Sequence, residues 1–219
     1  RKAARATDRV IDVGSGPGRF TLALAPRVAT VTAVDPSTRM LGIVRREAKR
    51  RGLANIECLP GRWQDVDVAP ADILICSYVL PLVADAGAFL AKMEAARRHT
   101  AFLYLNAASI DLLLDPLWRH FHGRPRRAAP TWLDAVALLR ELGLDPRFEV
   151  IELPTRSRWA SVDEAVKAYV DNLLLTNTAA VRKELRQLLS AWLLPRNGKL
   201  GPPVRTTPAA IISWGEARR

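Results

Sequence analysis

Short apolar runs alternate with amphipathic stretches through the first half of the chain. Residues 10–13 are apolar and mostly β-branched, broken only by Asp12, and predict a buried strand. The spacing of Phe20, Leu22, Leu24, Ala25 and Val28 predicts a helix behind it. Residues 31–35 predict a second strand, and Met40, Leu41 and Val44 an apolar stripe on a helix over 36–52 that ends at glycine. Further strands are predicted at 56–59, 72–76 and 100–105, with a helix over 86–98. Strands alternating with helices predict an α/β fold, a doubly wound, mostly parallel sheet.

The alternation breaks after Asn106. Helices are expected over 110–121 and 131–142, separated by a basic, proline-bearing loop, and Thr131 with Asp134 suits a helix start. A sixth strand is predicted at 148–153, then two helices over 161–176 and 178–193. A loop at 197–203 leads to a last strand at 207–214. The expected whole is a Rossmann-like seven-stranded sheet in a single domain over 1–219. Helical elaborations at 107–145 and 159–195 are expected to cover the crevice as a lid.

The candidate chemistry sits behind the first strand. Gly14, Gly16 and Gly18 let the backbone turn tightly and approach a ligand, and Pro17 suits a first helical turn. A dinucleotide fingerprint would require glycine where Arg19 stands. Asp12 beside the loop would repel a pyrophosphate and suits a ligand that carries an ammonium and a sulfonium. Asp35, which ends the second strand roughly 20 residues on, stands where a ribose-binding carboxylate belongs.

This D-x-G-x-G-x-G pattern with a second acidic strand end resembles the class I S-adenosylmethionine-dependent methyltransferases. Residues 71–80 are similar to the fourth-strand motif of their type 11 branch, and 116–125 with 130–134 are similar to a helical segment of largely actinobacterial members. The resemblance implies that the last strand, 207–214, is antiparallel and inserted between the fifth and sixth. It also implies S-adenosyl-L-methionine as cofactor, contacted by Asp12, Gly14, Gly16, Gly18, Asp35, Pro36, Trp63 and Ser77. Where members often place an acid for the adenine amino group, Arg62 follows Gly61, so Gln64, Asp65 or a backbone carbonyl must accept there. Trp63 is expected on the adenine face or packed under the sheet edge.

The acceptor is less defined. No N-P-P-Y motif follows the fourth strand, which disfavours methylation of a nucleobase amine, and Cys76 lacks the contexts of a pyrimidine-methylating nucleophile. A hydroxyl or ammonium acceptor needs a base, for which His122 and Tyr78 are the candidates and His120 the alternative. Arg119, Arg124, Arg126 and Arg127 are expected near an anionic part of a small-molecule acceptor. An RNA or ribosome-associated substrate read by the same arginines remains open, as does a non-catalytic cofactor-binding protein that acts by interaction.

Composition changes this picture little. Net charge is +11, and only six of the 33 basic residues are lysines, which fits an arginine-biased composition as well as an acidic partner. Cys58 and Cys76 both fall in predicted strands and read as buried thiols of a reducing, cytoplasmic compartment. No Cys/His spacing suggests a metal. No apolar run is long enough to span a bilayer, and residues 1–6 do not read as a signal peptide.

Overall fold

Strand residues sort by parity onto two covered faces. The computed structural model describes residues 4–107, 110–126, 130–155 and 158–216. Its first five strands are β1 (Arg9–Val13), β2 (Thr30–Asp35), β3 (Ile56–Pro60), β4 (Ala71–Ser77) and β5 (Arg97–Asn106). On one face Ile11, Val13, Leu74, Cys76, Ala101 and Leu103 join a core with Phe89, Leu90 and Met93 of α3 (Ala86–Ala96). On the other, Val10, Val31 and Ile73 meet Ala25 and Val28. Burial on both faces is why these strands read as near-continuous apolar runs.

The strands pair parallel as β3–β2–β1–β4–β5, with β1 flanked by β2 and β4. With β6 (Arg147–Pro154) and β9 (Thr206–Gly215) the sheet has seven strands in the order β3-β2-β1-β4-β5-β9-β6. The last strand is therefore inserted between the fifth and sixth, as the family resemblance implied. Trp214 is 2% exposed in the main core, and its indole N–H donates to Glu94 of α3 at 2.8 Å. That single side chain combines a large apolar burial with a satisfied donor, which anchors the strand.

Helices begin where sequence caps them. Ser37 caps α2 (Thr38–Arg50) through a bond from the Met40 N–H, and Asp85 caps α3 through Ala88. Thr131 donates from its backbone N–H to Asp134 at 2.6 Å, closing the first turn of α5 (Trp132–Glu141). The first helix differs from expectation. α1 spans only Thr21–Leu24 before a 3-10 turn at Ala25–Arg27, so Pro17 lies in the preceding turn and not in a helix.

The chain divides into two compact units. The first holds residues 1–105, 130–150 and 210–219, and the second 106–129 and 151–209. Within the stretch expected as an elaboration at 107–145, Ala135, Val136 and Leu139 of α5 are buried in the sheet's own core. In the second unit, α4 (Ile110–His122), α6 (Val162–Asn172) and α7 (Ala179–Trp192) surround a separate core of Leu114, Leu117, Tyr169, Leu185 and Leu189. The stretch expected as a loop carries an antiparallel hairpin of β7 (Leu194–Arg196) and β8 (Lys199–Gly201).

Candidate cofactor and acceptor site

The glycine loop leaves β1 and is stitched to the end of β2. The N–H groups of Gly14 and Ser15 both donate to the Val34 carbonyl, at 2.8 and 3.0 Å. Gly14 and Gly16 have φ of 69° and 53°, which only glycine adopts without strain. Their surroundings differ. A side-chain carbon at Gly14 would overlap Val79, whereas one at Gly16 meets no atom within 4 Å. The backbone face at Gly16 is open. Beside it the Ser15 hydroxyl is buried and has no hydrogen-bond partner among the described residues.

Asp35 joins loop and helix. Its Oδ2 accepts from the Gly16 N–H at 2.8 Å and its Oδ1 from the Ser37 N–H at 2.8 Å. A carboxylate has about four lone-pair sites, so each oxygen can accept again. The carboxylate is only 8% exposed, and Pro36 after it is exposed. Asp35 stands at a parallel strand's carboxyl end beside a glycine turn, the place where open α/β folds carry a ribose-binding carboxylate. An open backbone face, an orphaned hydroxyl and a carboxylate with spare acceptor sites fit a nucleoside cofactor.

Asp12 takes a different position from the one expected. It lies beneath the loop at 2% exposure, its Oδ2 accepting from the Thr21 N–H at 2.9 Å and the Thr21 hydroxyl at 2.6 Å. It therefore caps the start of α1. Burial pushes its carboxyl from 3.8 up to about 6 against the lowering effect of those bonds. Between these values the folded chain keeps a proton that the unfolded chain has released. Asp12 therefore favours folding most in acid, and this contribution falls as pH rises through about 6, by about 3 kcal/mol in all. The expected result is that Asp12→Asn gains stability relative to the parent by up to about 3 kcal/mol between about pH 4 and pH 7. Urea unfolding at both pH values checks this, and a pH-independent difference would contradict it.

Trp63 is corrected in favour of packing. It is 3% exposed, tilted against Phe89 with ring centroids 6.4 Å apart, and its indole N–H donates to the Phe89 carbonyl. No face is left for an adenine. Lys92, which the sequence did not single out, lies 5.2 Å from the Trp63 ring and donates to the carbonyls of Gln64 and Val66. It holds the turn that carries the exposed Arg62, Gln64 and Asp65.

At the end of β4, Ser77 is half-buried and Tyr78 is 37% exposed with φ of 60°. A non-glycine residue in this region is strained and persists only where neighbours hold it. Here the Tyr78 N–H donates to the Tyr104 carbonyl at 2.9 Å and the two rings meet edge to face, centroids 5.1 Å apart. Burial, reinforced by hydrogen bonding with Tyr104, pushes the Tyr78 hydroxyl up to about 12. At neutral pH Tyr78 therefore holds its hydroxyl proton.

His122 belongs to the second unit. Its Nε2 lies 2.8 Å from the Leu173 carbonyl, which can only accept, so that nitrogen carries its proton. The ring stacks on Trp118 with centroids 4.0 Å apart. Nδ1 is thus the ring's acceptor nitrogen, and a proton taken up by His122 would go there. His120 pairs with the Glu184 carboxylate at 2.7 Å. Arg119 pairs with Asp115, and Arg126 lies 5.0 Å from the Trp118 ring. Arg124 is exposed, and Arg127 lies outside the described residues. Burial pushes the Cys76 thiol up to about 12, which leaves it inert as a nucleophile. Cys58 is also a free thiol. Among the described residues no His, Cys, Asp and Glu cluster could hold a metal, and no helix is long and apolar enough to cross a membrane.

The sheet order, the glycine turn and the acid on β2 define the class I methyltransferase fold, Rossmann-like with one antiparallel strand. Residues 10–99 match the model of the methyltransferase domain. The chain is 29% identical over 147 residues to an uncharacterized protein of Haemophilus influenzae, covering 66% of this chain and 54% of that one. It is 44% identical over 54 residues to a 23S rRNA (uracil(1939)-C(5))-methyltransferase of Chromohalobacter salexigens, covering 25% of this chain and 11% of that protein. Thus the chain spans about half the first relative and far less of the second. The YcgJ protein of Bacillus subtilis has the same fold, with TM-score 0.68 and 18% identity over 100% of this chain and 96% of that one. So has magnesium protoporphyrin IX methyltransferase of Synechocystis with bound S-adenosylhomocysteine, with TM-score 0.57, 20% identity, and 68% and 69% of the two chains covered.

Proposed function

We propose that this chain is an S-adenosyl-L-methionine-dependent methyltransferase that acts on a small molecule. The observation that carries this reading is the Asp35 carboxylate, pinned by Gly16 and Ser37 beside an open backbone face. Asp35 accepts from the ribose hydroxyls, Gly16 admits the cofactor against the main chain, and the 61–65 turn meets the adenine through Gln64, Asp65 or a carbonyl. When bound, the cofactor supplies a methyl group already activated by the charge on sulfur. The chain's own task is to hold an acceptor about 3–3.5 Å from that carbon and to exclude water. Within the class, residues 71–80 support the type 11 branch.

The arginines argue for a small acceptor over RNA. Arg119 is spent on Asp115 and Arg126 on Trp118 and the Asn172 carbonyl, so they are not poised on a common phosphate track. Four phosphate contacts would weaken binding roughly a hundredfold between 50 and 200 mM salt. The expected results are one-to-one binding of S-adenosylhomocysteine by calorimetry, transfer of labelled methyl to a member of a small-molecule panel, and weak RNA binding with a shallow salt slope. Absence of S-adenosylhomocysteine binding by the folded chain would refute the proposal. Tight, steeply salt-dependent RNA binding lost in an Arg119/Arg124/Arg126 triple alanine variant would replace the small acceptor with RNA.

A further inference from the structure

Four side chains from three chain segments converge at the carboxyl ends of β1, β4 and β5. Arg19 follows the glycine loop, and its guanidinium carbon lies 5.5 Å from the Phe20 ring centre and 5.7 Å from that of Tyr104. The Phe20 and Tyr104 rings are 6.2 Å apart at 63°. Tyr78 continues the group, its ring edge to face with Tyr104. Ligands of open α/β sheets bind outside these strand ends, at the switch between β1 and its two neighbours.

Arg19 is unusual among the chain's arginines. It is exposed, rests on two aromatic rings, and pairs with no carboxylate among the described residues. A guanidinium stacked on rings keeps its N–H edge free, and that edge matches a carboxylate with two parallel hydrogen bonds in its own plane. Stacking also orders the side chain beforehand, which lowers the entropy lost on binding. Tyr78 offers an exposed ring at the rim, held in a strained backbone conformation by the Tyr104 carbonyl.

We propose that Arg19, seated on Phe20 and Tyr104 beside Tyr78, binds the carboxylate of the methyl acceptor, and that the acceptor is a small planar aromatic acid. A carboxyl group conjugated to a ring is coplanar with it. One flat ligand therefore meets the guanidinium edge with its acid and Tyr78 with its ring, whereas an aliphatic acid meets only the first. The Tyr78 hydroxyl is hydrogen-bonded with Tyr104, so Tyr78 meets the ligand through its ring. The inference rests on the methyltransferase reading, because it assigns the acceptor half of that site.

The test uses the full chain saturated with S-adenosylhomocysteine and titrated calorimetrically with 4-hydroxybenzoate, 4-hydroxybenzamide and cyclohexanecarboxylate. The acid is expected to bind at least about tenfold more tightly than the amide, as two charge-assisted hydrogen bonds require. Cyclohexanecarboxylate is expected to bind more weakly than the aromatic acid. Arg19→Met is expected to abolish the acid's advantage and leave the affinity for S-adenosylhomocysteine unchanged, with Arg19→Lys intermediate. Equal binding of acid and amide, or an advantage that survives in Arg19→Met, overturns the assignment of Arg19 while the methyltransferase reading stands. Equal binding of the flat and saturated acids overturns the aromatic part. If Arg19→Met weakens S-adenosylhomocysteine itself, the residue holds the cofactor's own carboxylate and the proposal fails. Failure of the parent chain to bind S-adenosylhomocysteine strikes the underlying reading instead.

Discussion

Asp35→Ala is expected to weaken S-adenosylhomocysteine at least tenfold, and more where both ribose hydroxyls are held. Each hydrogen bond to a charged acceptor is worth about 1.5–3 kcal/mol, and about 1.4 kcal/mol is a decade in affinity. The loss has a second source. Asp35 also accepts from the N–H groups of Gly16 and Ser37, so alanine leaves both without that partner and frees the loop from the start of α2. Asp35→Asn separates the two effects. Its carbonyl can keep one of these bonds but offers fewer acceptor sites, so its melting temperature should stay nearer the parent than that of Asp35→Ala. Calorimetry with circular dichroism on both variants checks this. Unchanged affinity in a folded Asp35→Ala variant would remove the ribose assignment and the proposed cofactor with it.

Gly14→Ala is expected to be the most destabilising exchange in the loop, and Gly16→Ala a mild one. Both positions have positive φ, which costs an L-residue about 1–2 kcal/mol. At Gly14 the new methyl would also overlap the Val79 side chain, and forced overpacking adds about 1–3 kcal/mol. Gly14→Ala should therefore lose about 2–5 kcal/mol in urea unfolding. Gly16→Ala meets open space and should lose only the backbone cost. For binding the order reverses relative to stability: Gly16→Val should stay folded yet lose the cofactor, because its side chain fills the face the ligand needs. Retained binding in Gly16→Val would move the contact elsewhere on the loop.

Much of the sheet was legible because its evidence is local. Residues 10–13, 31–35 and 72–76 are apolar on both faces, a pattern that only a doubly covered strand requires. Caps at Ser37, Asp85 and Thr131 are written in single residues and their near neighbours. Asp35 could be singled out for the same reason: an acid ending an apolar run after a glycine turn is a pattern along the chain.

Errors arose where a side chain's direction depended on remote packing. Trp63 stands in a stretch compatible with adenine, yet Phe89 and Lys92, about 26 and 29 residues on, draw it into the core. Asp12 has the right place in the motif, but strand parity turns it under the loop, where Thr21 takes its oxygen. No spacing revealed that His122 would meet the Leu173 carbonyl or that Arg119 would be spent on Asp115. The join of Arg19, Phe20, Tyr78 and Tyr104 is likewise invisible in a linear reading, because parallel pairing of β1, β4 and β5 brings the three segments together. The sequence by itself determined the class of fold, the order of its elements along the chain and the glycine loop, since these follow from periodicity and local backbone demands. Only the tertiary structure decided where each polar side chain points, because each competes with burial, capping and pairing partners brought close by the fold.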